Sequence, residues 1–263
     1  MSNGQIYAYD KIVSWIREKI QKSGLNGITI GISGGIDSAV SAVLAIGAIG
    51  KEKVDGLILP YYDDKHFKDA LDVAGSFDIH RSTIWINDIY DSYYHTGLLW
   101  KDITKENTMA RIRMTLLRAY ANEHNMLLVG TGNMSEAMVG YCTKGGDDEA
   151  DIFPIIRLMK YQVYELARYI NQLANLNGPI PHIPEEIINK EPSAGLYPNQ
   201  TDKNDLDMNY ETLDKLIIQH KWGIHANASN KETLRFKELF NGSEHKRCGI
   251  QFPELNNHPD FWK

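Results

Sequence analysis

Cysteine is scarce in this 263-residue sequence, with Cys142 and Cys248 the two present. Two thiols cannot build a disulfide framework or a Cys-rich zinc site, so the fold is expected to rest on its apolar core and to suit a reducing cytoplasmic setting. Long apolar runs are missing as well. The most hydrophobic stretch, residues 39–49, is broken by Ser41 and Gly47, and it falls short of the roughly 20 residues a bilayer-spanning helix requires. It reads as a buried helix. The first ten residues show neither the basic region nor the apolar region of a secretory signal, so none is expected. Basic excess is also absent: 28 Lys and Arg stand against 34 Asp and Glu, a formal charge of −6, which argues against non-specific affinity for a nucleic acid backbone. Neither nucleic acid nor membrane is an expected partner. Internal repeats, low-complexity segments and a Cys-x-x-Cys signature are not found, and His80, His95 and His182 lack metal-ligand spacing.

What remains is an ordinary globular composition, 43% hydrophobic and 24% charged, long enough for one large α/β domain or two small ones. Residues 7–23 carry Ile12, Val13, Ile16 and Ile20 at helical spacing and stop at Gly24. The period then changes. Residues 27–32 are short, apolar and β-branched, which predicts a buried strand, and residues 37–49 predict a helix ended by Gly50. Further strands are expected at 54–60, 82–86 and 126–130, with helices at 65–77 and 106–124 between them. This alternation predicts a doubly wound α/β fold with a mostly parallel sheet, which we take to span 1–263 as a single domain. Beyond it, helices are expected at 158–171, 209–220 and 230–241. They are separated by a Pro-, Asn- and Gly-rich loop over 177–204 and followed by an irregular tail.

The sharpest local feature is Ser33-Gly34-Gly35-Ile36-Asp37-Ser38, set between a predicted strand and a predicted helix. Adjacent glycines let backbone N–H groups curl around an anion, and the helix N-terminus adds partial positive charge. The pattern is neither a Walker loop nor a dinucleotide G-x-G-x-x-G. A carboxylate in a phosphate cradle repels its ligand unless a divalent cation such as Mg²⁺ lies between them, so Asp37 is read as a metal ligand, with Ser33 and Ser38 as hydroxyl donors to phosphate. The local alternative is a tight turn in which Asp37 or Ser38 caps the helix.

This loop resembles that of the ATP pyrophosphatase group, enzymes that split ATP between its α and β phosphates. Further segments resemble the ammonia-dependent NAD synthetases within that group, in order and spacing from about residue 31 to residue 247. They are Asn107-Thr108-Met109-Ala110-Arg111-Ile112-Arg113, Gly130-Thr131-Gly132-Asn133-Met134-Ser135-Glu136, Thr143-Lys144 with Asp151-Ile152-Phe153-Pro154, Pro192-Ser193-Ala194-Gly195-Leu196 with Gln200-Thr201-Asp202, and His245-Lys246-Arg247. The resemblance implies an ATP site formed by Gly31, Ile32, Ser33, Gly34, Gly35, Ile36, Asp37, Ser38, Thr131, Lys160 and Ser193. It implies Mg²⁺ on Asp37 and Glu136, and contacts to deamido-NAD from Arg111, Lys144, Asp151, His245 and Lys246. It also implies a cytoplasmic homodimer with deamido-NAD across the interface, a role with which the aromatic Tyr90, Tyr93, Tyr94 and Trp100 are compatible. Two departures stand out: Asp148 and Glu149 lie where small residues are common, and Lys203-Asn204 where acidic ones are.

The chemistry implied is amidation of a carboxylate. Hydroxide is a poor leaving group, so AMP is first transferred to the carboxylate, pyrophosphate leaves, and ammonia then displaces AMP. Asp37 and Lys160 are the expected catalytic residues, acting by electrostatics rather than proton transfer. Asp151 is a candidate for orienting ammonia. Each residue also has a plainer reading: Arg111 as a surface arginine, Thr131 and Glu136 as a helix cap and first-turn acid, Lys144 and Lys160 as surface lysines, and His245-Lys246-Arg247 as a solvated charge run. Cys142 invites a glutaminase reading but has no evident His partner, so free ammonia is the expected donor. The competing functions are another ATP pyrophosphatase with a different acceptor, and a nucleotide-binding regulator without turnover.

Overall fold

The structure, a computed structural model, describes residues 3–61, 65–98, 101–176, 180–197 and 200–248; Trp100 and the end of the irregular tail, 249–263, lie outside the described residues. Helix α1 (Asn3–Ser23) begins earlier than its apolar spacing predicts and buries Tyr9, Val13, Ile16 and Ile20 along one face. It ends at Gly24, whose φ of +69° only glycine adopts without cost. Strand β1 (Gly27–Gly31) follows, then α2 (Ile36–Ile49), which is buried along nearly its whole length. Gly47 lets α1 lie close against α2, since a Cβ there would sit 2.6 Å from the Tyr9 hydroxyl.

Strand β2 (Val54–Ile58), α3 (Lys65–Ser76), β3 (His80–Thr83), α4 (Asn87–Tyr94), α5 (Asp102–His124) and β4 (Met126–Val129) complete the sheet layer. Two features differ from the sequence reading. Helix α4 is not apparent from periodicity, and β3 lies earlier than the apolar residues at 84 and 86 suggest. The reason is position: β3 is an edge strand with His80, Arg81 and Thr83 exposed. The apolar Ile84 and Ile86 continue past the ladder, donating to Ile58 O at 2.9 Å and Pro60 O at 3.1 Å.

The strands are parallel in the order β3-β2-β1-β4, with Ile30 opposite Gly56 on one side and opposite Val129 on the other. From β1 the chain winds outward through β2 and β3, then crosses back to place β4 on β1's other edge. The connections after β1 and β4 therefore diverge, leaving a crevice at the carboxyl ends of these two strands, where ligands bind in open α/β sheets. One apolar cluster packs α1, α2, α3 and the later helix α7 (Lys160–Asn175) against one face. A second packs α4 and α5 against the other.

The remaining helices are α6 (Met134–Val139), α8 (Glu185–Ile188), α9 (Asp202–Leu206), α10 (Tyr210–Trp222), α11 (Asn230–Gly242) and α12 (Glu244–Arg247). A third cluster, including Met134, Leu213, Leu216 and Phe236, joins α6, α10 and α11 beside the crevice. Thus the loop expected over 177–204 carries the short helix α8 and the start of α9, and the expected irregular tail begins with α12. Among the described residues no helix is long and apolar enough to cross a membrane.

Candidate active site

The crevice between β1 and β4 opens into a cavity of about 1190 Å³, larger than the roughly 300–1,000 Å³ usual for one small ligand. The glycine loop forms its floor. Gly34 has φ +72°, and a Cβ there would lie 2.7 Å from Ala70 N and 2.8 Å from His66 O, both backbone atoms of α3 that cannot move aside. Gly35 is the N-cap of α2 and offers no side-chain cap. The Ser38 hydroxyl donates to Gly35 O at 2.9 Å and lies 3.1 Å from Ser33 Oγ. Asp37 does not cap the helix either; it points across the crevice. The first-turn N–H groups of α2 thus face the cavity without a carboxylate cap, as an anion site requires. Gly34→Ala is expected to destabilise the fold by about 2–3 kcal/mol, through left-handed strain and overpacking, and to weaken anion binding at the loop. Denaturant unfolding and nucleotide titration together check this; a parental melting curve would refute the close-approach argument.

Above the loop stands Lys160, the first residue of α7, buried and salt-bridged to Asp37 Oδ2 at 2.5 Å and Glu136 Oε1 at 3.1 Å. The three come from α2, α6 and α7, so no local pattern joins them. Asn133 ties the two acids together: its amide donates to Asp37 Oδ1 at 3.0 Å, and its side-chain oxygen accepts from Glu136 N–H at 3.0 Å. Its own N–H donates to Glu136 Oε2 at 3.2 Å, completing a capping box on α6. Glu136 is therefore both a helix cap and a site residue, and the cap is Asn133 rather than Thr131, which lines the cavity. The Lys160 N–H is held by Ser135 Oγ at 2.9 Å, and Ser135 in turn hydrogen-bonds Asp214 of α10.

A further layer is not legible in the sequence beyond the motif that contains Asp202. Tyr210 OH lies 2.8 Å from Asp202 Oδ2 and 3.3 Å from Glu136 Oε1, and Lys160 Nζ sits 4.7 Å from the centre of its ring. Tyr141 OH lies 3.0 Å from Asp202 Oδ1 and 2.7 Å from Asp205 Oδ2. Burial tends to lower the Lys160 pKa, but Asp37 and Glu136 outweigh it and hold the ammonium firmly charged. Glu136 is pushed up to about 7, by burial first and by the like charge of Asp37, against the opposing pull of Lys160. Burial also raises Asp202 and Tyr210.

A carboxyl whose folded-state pKa exceeds its unfolded value of 4.5 binds its proton more tightly when folded. Stability from Glu136 is therefore fully present below about pH 4.5 and is lost as pH rises toward 7. In metal-free protein, the stability of Glu136→Gln relative to the parent is expected to rise between pH 5 and 7, by about 2 kcal/mol. Urea melts at both pH values measure it; a difference that does not change with pH would refute the assignment.

Of the other expected residues, Gly31, Ile32, Ser33, Gly35, Ile36, Ser38, Ser193 and Lys246 line the cavity. Arg111, Lys144 and His245 form a chain on the surface outside its walls: Arg111 Nε donates to Lys144 O at 3.1 Å, and Lys144 Nζ to His245 O at 2.9 Å. The cavity wall is instead served by Arg113, two residues on along α5, which donates to Leu59 O at 2.9 Å. Asp151 is held at the sheet edge, by Leu128 N–H at 2.8 Å and Arg118 at 2.5 Å. Asp148 closes its own loop by accepting from Gly145 N–H at 2.7 Å, so this departure from the resemblance has a local structural use. Cys142 is pushed up to about 12 by burial and nearby Asp147, so it stands as a neutral thiol rather than a nucleophilic thiolate.

Among the described residues no cluster of three or more His, Cys, Asp or Glu is arranged to hold a metal. The donor set still fits Mg²⁺. Asp37 and Glu136 are hard carboxylates, and Asp37 Oδ1, Asp37 Oδ2 and Glu136 Oε2 each accept one of the bonds described, which leaves each a second lone pair. Mg²⁺ commonly takes one or two protein carboxylates and fills its other positions with water and phosphate oxygens. The charge balance agrees, since Asp37, Glu136 and Asp202 all act on the cation Lys160.

Residues 8–249 match the family model described as NAD synthase. The chain is 42% identical over 254 residues to an NH(3)-dependent NAD(+) synthetase of Thermococcus sibiricus, covering 93% of this chain and 96% of that protein. Among solved structures it is similar to an NMN synthetase from Francisella tularensis, at TM-score 0.84 and 34% identity over 95% of this chain and 99% of that one. It is also similar to an NH3-dependent NAD synthetase from Campylobacter jejuni, at TM-score 0.77 and 27% identity over 97% of this chain and 100% of that one.

Proposed function

Because this chain belongs to the NAD synthase family, it is a ligase that uses ATP and ammonia to convert deamido-NAD to NAD, and we propose how the crevice carries out that reaction. The observation that supports the reading most is Lys160 held between Asp37 and Glu136 over an uncapped glycine loop. A carboxylate oxygen of deamido-NAD attacks the α-phosphorus of ATP, the bond from that phosphorus to the bridging oxygen breaks, and pyrophosphate departs into the cradle of Ser33, Gly34, Gly35, Ile36 and Ser38. Lys160 offers its ammonium to the phosphoryl charge, and Thr131 and Ser193, which line the cavity, supply hydroxyls. Asp37 and Glu136 would hold Mg²⁺, which when bound offsets phosphate charge at the reacting centre.

In the second step ammonia attacks the acyl carbon, AMP leaves with the bridging oxygen, and the proton surplus passes to solvent or a neighbouring base. Asp151 stays our candidate for orienting ammonia, fixed in place by Leu128 N–H and Arg118. Arg111, Lys144, His245 and Lys246 are read as the deamido-NAD surface. Trp85 before α4, Tyr93 and Tyr94 at its end, Leu98 after it and Ile103 at the start of α5 are exposed and support a homodimer in which that surface is completed by a second copy. Two free cysteines and freely diffusing substrates support a cytoplasmic location. The reading treats 1–263 as one domain, supported by three apolar clusters that meet around one cavity.

A second reading follows from the similarity to an NMN synthetase, in which the acceptor is the deamidated mononucleotide. One experiment decides: purified protein is incubated with ATP, Mg²⁺, ammonium or glutamine, and either acceptor, and products are followed by chromatography. NAD, AMP and pyrophosphate in equal amounts with ammonium are the expected result. Faster turnover of the mononucleotide establishes the second reading, glutamine use overturns the assignment of the donor, and no ATP consumption overturns both.

A further inference from the structure

At the far side of the glycine loop from Lys160 stands a second, partly buried cation that the sequence patterns do not single out. Lys190 follows α8 and reaches back across the cavity wall. Its Nζ lies 2.6 Å from Asp69 Oδ2, 3.1 Å from His66 Nδ1 and 3.3 Å from the carbonyl oxygen of Gly34. The side chain is 15% exposed, and both Lys190 and His66 line the cavity. Asp69 is already bonded to Lys65 at 2.9 Å, so two lysines share one carboxylate. The cavity is thus polarised. Its Lys160 end sets Asp37, Glu136 and Asp202 about Lys160 and suits a metal; at its other end Lys190 and Lys65 share Asp69, and Lys190 is the one of these three that lines the cavity, beside the exposed Glu191, so that its ammonium is available to an anion.

Resting on the adenylation reading above, we infer that Lys190 is part of the pyrophosphate site, supplying positive charge to the departing β- and γ-phosphates while its bond to the Gly34 carbonyl fixes the cradle. Three facts converge. Gly34 is welded to α3 by close backbone contact, so the loop and the Asp69–His66 pair are one rigid unit. Lys190 joins that unit from the opposite side, and two residues on the same segment begin Pro192-Ser193, which also line the cavity. Gly195, at φ +64°, folds that segment against the His66 ring. A partly buried ammonium beside uncapped helix N–H groups adds a charged donor where the loop alone offers only dipoles.

The experiment is calorimetric titration of the full chain with magnesium pyrophosphate and, separately, with deamido-NAD, for the parent, Lys190→Met, Lys190→Arg and Asp69→Asn. Lys190→Met is expected to bind pyrophosphate on the order of 10- to 100-fold more weakly, with deamido-NAD binding unchanged. Lys190→Arg is expected to retain most of the affinity, and Asp69→Asn, which leaves Lys190 with less counter-charge, to bind pyrophosphate as well as or better than the parent. A merely structural ion pair gives the opposite pattern, with Asp69→Asn and Lys190→Met equally impaired. That pattern, or parental pyrophosphate affinity in Lys190→Met, overturns the inference. If Lys190→Met does not fold, Asp69→Asn alone separates the two cases. A parent that forms no NAD and binds no pyrophosphate overturns the functional reading instead.

Discussion

Lys160→Met is expected to lower the rate of NAD formation by about a thousandfold and to leave a protein less stable than its parent at neutral pH. Methionine matches the length of the lysine stem and removes the ammonium. The rate effect follows from position: Lys160 is the cation shared by Asp37 and Glu136 at the mouth of the glycine loop, and preorganised donors in such sites are worth on the order of 10²–10³ in rate each. The stability effect follows from what remains. Removing one partner of a buried charge group leaves the others uncompensated, at about 3–5 kcal/mol. Here three carboxylates would face one another, so Glu136, already raised to about 7 by burial and by Asp37, takes a proton more readily still. The loss should accordingly be larger at pH 8 than at pH 5. Single-turnover rates and urea melts at both pH values test this, and a rate within tenfold of the parent would show that Lys160 is a structural lysine.

Asp37→Asn is the second large effect, and its cause is directional. Asp37 Oδ1 accepts from Asn133 Nδ2 at 3.0 Å and Oδ2 from Lys160 Nζ at 2.5 Å. An asparagine must turn its own NH₂ toward one of these donors, whichever way its amide is placed, so a donor faces a donor in a partly buried site. The substitution also removes a carboxylate from the pair proposed to hold Mg²⁺. NAD formation is expected to fall on the order of 100- to 1,000-fold, and the magnesium concentration needed for half-maximal rate to rise. Parental turnover with an unchanged magnesium dependence would remove Asp37 from the metal assignment.

The parts of the site that were legible in the sequence are those carried by contiguous residues. Ser33-Gly34-Gly35-Ile36-Asp37-Ser38 was readable because a phosphate cradle needs adjacent glycines between a strand and a helix, and the structure gives Gly34 the positive φ that only such a residue supplies cheaply. Glu136 was readable both as a helix-start acid and as a site acid, and it is placed to serve as both. Lys190, Asp69, Tyr141 and Tyr210 were not. Each is a common residue type on a short or ordinary helix or loop, and its meaning lies in a partner as many as 156 positions away, as with Lys190 and Gly34.

By itself the sequence determined the strand–helix alternation, the parallel sheet and the phosphate loop. These depend on local periodicity, on β-branched runs and on the steric freedom of glycine, which are properties of neighbouring residues. Only the tertiary structure decided which charges meet. The order β3-β2-β1-β4 opens the crevice beside β1, and the docking of α6 and α7 beside it sets Lys160 between two acids. The same packing turns Arg113 rather than Arg111 to the cavity wall. The physical reason is that burial and Coulomb interaction act through space: a lysine's role is set by the carboxylates within a few ångströms of its ammonium, wherever the chain has carried them.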